Sequence, residues 1–218
     1  MASIYNPRTR FLVVDIETPT HPNSLICDIS FGIWSRSEGM IMSQGYLVQE
    51  NRKVATHYKK EGIYMNYLEM GLYTISLLEE IMTDMQNAIN EYQPKFATAY
   101  NSGFDFPRIR NACKAQRIAC PLDSLTEFDL WRGACETLGQ QKTFKRWVDA
   151  NAMRTPKGNR KSGAETMYAY LTLNSNFEEE HTGLADIFIE ASILERVQRQ
   201  KKKLSMITGG NPWKLVQG

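Results

Sequence analysis

The feature that most restricts the fold is a short apolar run ending in acids, Phe11-Leu12-Val13-Val14-Asp15-Ile16-Glu17-Thr18. So many β-branched and apolar side chains in so short a run predict a strand. Side chains alternate along a strand, so Asp15 and Glu17 share one face where it ends. Two carboxylates that close raise each other's pKa, whereas a hard divalent cation favours both in the ionised form. Oxygen-only donors point to Mg²⁺ or Mn²⁺. An isolated Asp-x-Glu, taken alone, is more often a solvated strand end.

The remaining pattern predicts further strands over residues 25–34 and 40–48, joined by a hairpin turn at 35–39. Apolar residues at helical spacing, Leu77, Leu78, Ile81, Met82, Met85 and Ile89, predict one long amphipathic helix over 65–92 that Pro94 stops. A short strand follows over 95–100, and Asp105 before Phe106-Pro107 reads as the N-cap of a helix through residue 115. Residues 164–171 form a short helix candidate, and Thr182 opens a last long helix with Leu184, Ile187, Phe188, Ala191 and Leu194 on one face. Strands early and helices late suit an α/β fold, a mixed central sheet flanked by helices. With 218 residues, 42% of them hydrophobic, and no repeat or linker, one domain over 1–218 is expected.

Two further motifs carry candidate chemistry. In Tyr100-Asn101-Ser102-Gly103-Phe104-Asp105, an acid sits at a strand-to-helix junction and Gly103 permits close backbone approach. In His181-Thr182-Gly183-Leu184-Ala185-Asp186, a continuous helix would turn His181 and Asp186 about 140° apart. With Thr182 as N-cap, His181 lies in the preceding loop and both side chains can reach one site. Either motif alone is commonplace, since Asp is a favoured N-cap and most histidines are structural. Their order along the chain is the stronger signal.

That ordered set, Asp-x-Glu, then Asn-x-x-Phe-Asp, then His-x-x-x-x-Asp, resembles the DEDDh family of 3′-5′ exonucleases over most of the chain. The family includes polymerase proofreading subunits, ribonuclease T and small stand-alone enzymes of the bacteriophage type. The resemblance implies a ribonuclease-H-like fold, with Asp15, Glu17, Asp105 and Asp186 holding two divalent cations and His181 as general base. An imidazole, with an ordinary pKa of about 6.5, can accept a proton near neutrality. The implied reaction is two-metal hydrolysis of nucleic acid, DNA with a single-stranded 3′ end first, to nucleoside 5′-monophosphates. The alternatives are a 3′-5′ exoribonuclease and a non-catalytic nucleic-acid-binding domain on the same fold.

Charge is nearly balanced, 26 Lys and Arg against 24 Asp and Glu, so affinity for nucleic acid must come from local clusters. Residues 142–161 form one, a basic loop or arm with Lys142, Lys145, Arg146, Arg154, Lys157, Arg160 and Lys161 against the single acid Asp149. A basic tail over 199–218 is another. These cations, with Thr18, the residues just after it, and Asn101, are the candidate substrate contacts. Trp131, Phe144 and Trp147 can either stack on bases or fill the core. Scattered cysteines without a Cys-x-x-Cys pair argue against a zinc site or disulfide framework. With no membrane-length apolar run, a soluble cytoplasmic protein is expected, in a bacterial cell or phage-infected host, with a homodimer as a candidate assembly.

Overall fold

The computed structural model describes residues 3–18, 25–51 and 61–218. The residues just after Thr18 that were expected to touch substrate, and two of the three histidines, His21 and His57, lie outside the described residues. A six-stranded sheet runs in the order β4-β3-β2-β1-β5-β6. Its strands are β1 (Phe11–Glu17), β2 (Asp28–Ser35), β3 (Gly39–Val48), β4 (Tyr73–Ser76), β5 (Phe96–Ala99) and β6 (Thr126–Asp129). Strands β1, β2 and β3 form an antiparallel meander, while β3/β4, β1/β5 and β5/β6 pair in parallel. The C-terminal ends of β1, β5 and β6 therefore share one edge, where open α/β sheets place their ligands.

Helices cover both faces. They are α1 (Glu61–Glu69), α2 (Leu78–Tyr92), α3 (Ser102–Gln116), α4 (Leu130–Thr137), α5 (Lys142–Ala150), α6 (Ala164–Thr172), α7 (Gly183–Arg199) and α8 (Lys214–Gln217). The alternation of β1 decides which side is which. Leu12, Val14 and Ile16 pack into a core with residues of α2 and α3, such as Ile81, Met85, Phe106 and Ile109. Phe11 and Val13 pack on the other face with residues of α4 and α7, such as Ala134, Ile187 and Leu194. Asp15 and Glu17 continue this second register, and so leave the sheet on the α7 side.

The expected single helix over 65–92 is corrected by the structure. Gly71, at φ +70°, ends the first segment, and Tyr73–Ser76 forms the edge strand β4 against β3 before α2 begins. The expected helix is thus two, its first residues belonging to α1 and residues 78–92 to α2, and Tyr73-Thr74-Ile75 between them is a β-prone triplet that the wider window averaged away. Glu80 Oε2 accepts the Leu77 N–H at 2.9 Å to close the start of α2, and Gln93 turns left-handed before Pro94 to end it.

The stretch read as a basic loop or arm folds instead as α5 followed by a turn. Asp149 pairs with Arg154 at 2.6 Å and Arg160 at 2.9 Å, which ties the turn back to the helix. The basic tail is likewise packed. Leu204 and Val216 are buried, Gln217 accepts the Arg160 N–H at 2.8 Å, and Lys145 donates to the Gly218 carbonyl. Phe144 is fully buried edge-on to Tyr170 and is core, while Trp147, half-buried, packs on the same ring at the edge of the core. The four cysteines are free thiols, and no helix among the described residues is long and apolar enough to cross a membrane.

Candidate functional site

Three chain segments deliver acids to the edge where β1, β5 and β6 end. Strand β1 brings Asp15 and Glu17. Beyond β5, Asn101 turns left-handed at φ 76° and starts α3. Asp105 is therefore one turn inside the helix rather than its N-cap, and its side chain is buried. The misreading came from Pro107, which sits within α3 and not at its first position. Close approach at Gly103 is real. A Cβ there would lie 3.5 Å from the Gly209 Cα of the C-terminal segment.

Thr182 takes the N-cap position of α7 as expected, though its hydroxyl makes no capping bond, so His181 stands in the loop before the helix and Asp186 in its first turn. Ligand atoms of Glu17, His181 and Asp186 all lie within 4.8 Å of one another. His181 has positive φ, an exposed imidazole, and Nδ1 3.6 Å from Glu179 Oε2. A second grouping of Glu165, Glu179 and His181 adjoins the first through the shared histidine.

The start of α7 is held by an acid that the sequence reading missed. Asp28, fully buried on β2, accepts hydrogen bonds from the Gly183 N–H at 3.0 Å, Tyr64 at 2.9 Å, Tyr73 at 2.8 Å and Ser30 at 3.1 Å. The Tyr73 hydroxyl in turn accepts the Leu184 N–H at 2.9 Å. A carboxylate at a helix N-terminus satisfies free donors and the helix dipole together. The signal was an Asp inside an apolar strand, between Cys27 and Ile29.

Glu190 is the second missed acid. It is 2% exposed, and Oε1 accepts the Tyr100 N–H at 2.8 Å. It follows Asp186 by one turn on α7, where the apolar positions Ile187 and Ala191 flank it.

Electrostatically the site is strained as it stands. Burial, then repulsion from Asp105, Glu190, Asp186 and Glu17, holds the Asp15 carboxyl well above the usual range. Burial does the same to Asp105, which Arg108 offsets in part, and to Glu190, beside Asp105 and Asp186. Asp15 Oδ2 and Glu190 Oε2 are sealed from solvent without a hydrogen-bond donor. Buried acceptors in that state demand a proton or a cation. The oxygen-rich donor set fits hard divalent ions such as Mg²⁺ or Mn²⁺.

Beside His181 opens a cavity of about 670 Å³, whose walls include Trp131, Trp213, Lys157, Arg160, Lys161 and Glu179. Of the other candidate contacts, Lys142 and Arg146 are exposed on α5, Lys145 is engaged with the C-terminus, and Arg154 with Asp149; none lines this cavity. Thr18 is half-buried just beyond β1 and Asn101 caps α3.

No family model and no curated protein sequence matches the chain. Solved structures do. Exonuclease I aligns with TM-score 0.57 and 14% identity over 88% of this chain and 41% of its own. E. coli Exonuclease I in complex with a dA16 oligonucleotide gives 0.59 and 13% over 88% and 41%, and a product-bound exonuclease I gives 0.55 and 13% over 88% and 44%. The chain thus spans less than half the length of these neighbours. Sheet order, flanking helices and this alignment together establish a ribonuclease-H-like α/β fold.

Proposed function

We propose that the chain is a metal-dependent nuclease that removes nucleoside 5′-monophosphates from the single-stranded 3′ end of nucleic acid, DNA in the first instance. The observation that carries this reading is the gathering of Glu17 and Asp186 around His181, with the sealed, donorless oxygens of Asp15 and Glu190 in the same acidic cluster, beside a cavity rimmed by cations. A fold shared with exonuclease I supports it.

In this reading Asp15, Glu17, Asp105 and Asp186 would hold two divalent cations. When bound, such ions supply Lewis acidity at the scissile phosphate and its leaving oxygen. His181 acts on the attacking water. Its Nδ1 lies 3.6 Å from Glu179 Oε2, and in this reading the imidazole takes the water proton as the water oxygen attacks phosphorus and the neighbouring nucleotide's 3′ oxygen departs. Positive φ at His181 and the Asp28 anchor beneath Gly183 set the imidazole over the acids. Trp131 and Trp213 offer flat apolar faces to an unstacked base, and Lys157 and Lys161 meet the phosphates on either side of it.

The test is product analysis on matched 3′-labelled and 5′-labelled oligonucleotides, DNA and RNA, in Mg²⁺ or Mn²⁺. The 3′ label is expected to leave first as mononucleotide from DNA, and Asp15→Ala is expected to abolish its release while leaving oligonucleotide binding largely intact. Faster loss from RNA would reassign the substrate to ribonucleic acid. Binding without any release would make the chain a nucleic-acid-binding domain.

A further inference from the structure

Asp186 and Glu190 lie four residues apart on α7, so successive turns present both carboxyls on one face. Apolar neighbours on the same helix, Ile187, Ala191 and Leu194, fill the core, and an apolar residue would fit position 190 equally well by burial alone. Instead a glutamate that is 2% exposed stands there. One of its oxygens is engaged by the Tyr100 N–H, at the turn that leads into α3 and Asp105. The other, Oε2, is sealed from solvent and has no hydrogen-bond donor. The charged groups that act on Glu190 most strongly are Asp105, Asp186 and Glu179, all acids. No salt bridge among the described residues supplies it with a cation.

We infer that Glu190 is a fifth carboxylate of the cation cage, using Oε1 to tie α7 to the start of α3 and offering Oε2 to a bound divalent cation. This rests on the proposed metal-dependent site, but not on what that site hydrolyses. The two oxygens divide the work. The Tyr100 bond fixes the side chain without neutralising it, because a peptide N–H carries only partial charge. What remains is a buried carboxylate oxygen without a donor, on the same helix face as Asp186 and with acids as its charged neighbours, an arrangement that a bound cation would relieve. A residue serving packing alone would show the opposite behaviour, stabilising the metal-free fold and leaving cation affinity untouched.

The test compares full-length wild type with Glu190→Gln, which keeps the shape and an acceptor for the Tyr100 N–H but removes the charge. Free Mn²⁺ is followed by electron paramagnetic resonance during titration without nucleic acid, and thermal midpoints are measured in EDTA and in Mn²⁺. Glu190→Gln is expected to bind Mn²⁺ about 10–100-fold more weakly, to melt no lower than wild type in EDTA, and to gain less from Mn²⁺. Glu190→Asp, charged but shorter, should fall between the two and serves should the glutamine variant fail to fold. Glu195→Gln, a surface change on the same helix, should match wild type. Superimposable Mn²⁺ isotherms for wild type and Glu190→Gln, or for wild type and Glu190→Asp if only the latter folds, would overturn the assignment. So would a wild type that takes up no Mn²⁺. Mn²⁺ binding that weakens in the variant while no oligonucleotide is degraded would leave Glu190 in its place and remove the nuclease reading instead.

Discussion

At the scale of single residues, Asp28 and Gly183 decide how the candidate site is aimed. Asp28 meets four donors and, among the described residues, no cation, so truncating it would leave the Gly183 N–H and the Tyr64 hydroxyl buried without their acceptor and the Tyr73 hydroxyl with Ser30 alone. Each such group costs about 1–3 kcal/mol, and Asp28→Ala is expected to lower unfolding free energy by about 3 kcal/mol or more in urea melts. A loss under about 1 kcal/mol would mean that water replaces the carboxylate easily. Gly183 is required for a different reason. A Cβ there would meet Asp28 Oδ1 at 2.8 Å and Ser30 Oγ at 2.9 Å, so Gly183→Ala must push α7 off its anchor. Overpacking of this kind costs about 1–3 kcal/mol, and because His181 and Asp186 flank the displaced turn, turnover should fall further than stability alone accounts for. Retained turnover with normal stability in this variant would uncouple the helix start from the site. Of these residues, the sequence made Asp15, Glu17, Asp105, His181 and Asp186 conspicuous through order and spacing. Asp28 and Glu190 were hidden because a lone acid in an apolar run reads as an interruption until its partners are known.

At the scale of elements, periodicity served well where one period ran unbroken. Strands β1, β2 and β3, the turn between the last two, and helices α6 and α7 lie close to where alternation and capping put them. It failed where two periods met inside one window. The Gly71 turn and β4 were absorbed into a single helix because the strong helical spacing of α2 was extended backward over them. Charge misled in a similar way. A run of lysines and arginines reads as a solvated arm, yet Phe144 and Val148 at helical spacing bury one face of α5, and Asp149 gathers two of the arginines. Asp149 is accordingly held below the usual carboxylate range by Arg160 first. Because Lys157 and Lys161 face the cavity beside His181 whereas Lys142 and Arg146 do not line it, Lys157→Ala with Lys161→Ala is expected to weaken oligonucleotide binding and flatten its salt dependence. Lys142→Ala with Arg146→Ala should change both less. Filter-binding isotherms across a salt series check the contrast, and equal effects from the two pairs would return the whole basic stretch to a diffuse role.

At the scale of the molecule, the sheet edge concentrates acids that the metal-free fold holds against their preference. Asp15, Asp105 and Glu190 are each raised well above the usual carboxylate range, by burial first. A folded pKa above the unfolded one means that the folded state binds protons more tightly, so this contribution to stability is complete below about pH 4 and is lost as pH rises through the raised values. In EDTA the thermal midpoint is therefore expected to drop as pH rises above the usual carboxylate range, and added Mg²⁺ should restore most at the alkaline end. Calorimetry in both conditions checks the sign, and a midpoint that climbs with pH in EDTA would contradict it. The fold itself follows from layering and alternation, which carry Asp15 and Glu17 to the same side as α7. Most directly, diffraction from Mn²⁺-soaked crystals, with data at the manganese edge, locates the ions by anomalous scattering. The account expects two adjacent peaks enclosed by Asp15, Glu17, Asp105 and Asp186, and manganese bound only elsewhere, or none at all, would contradict it.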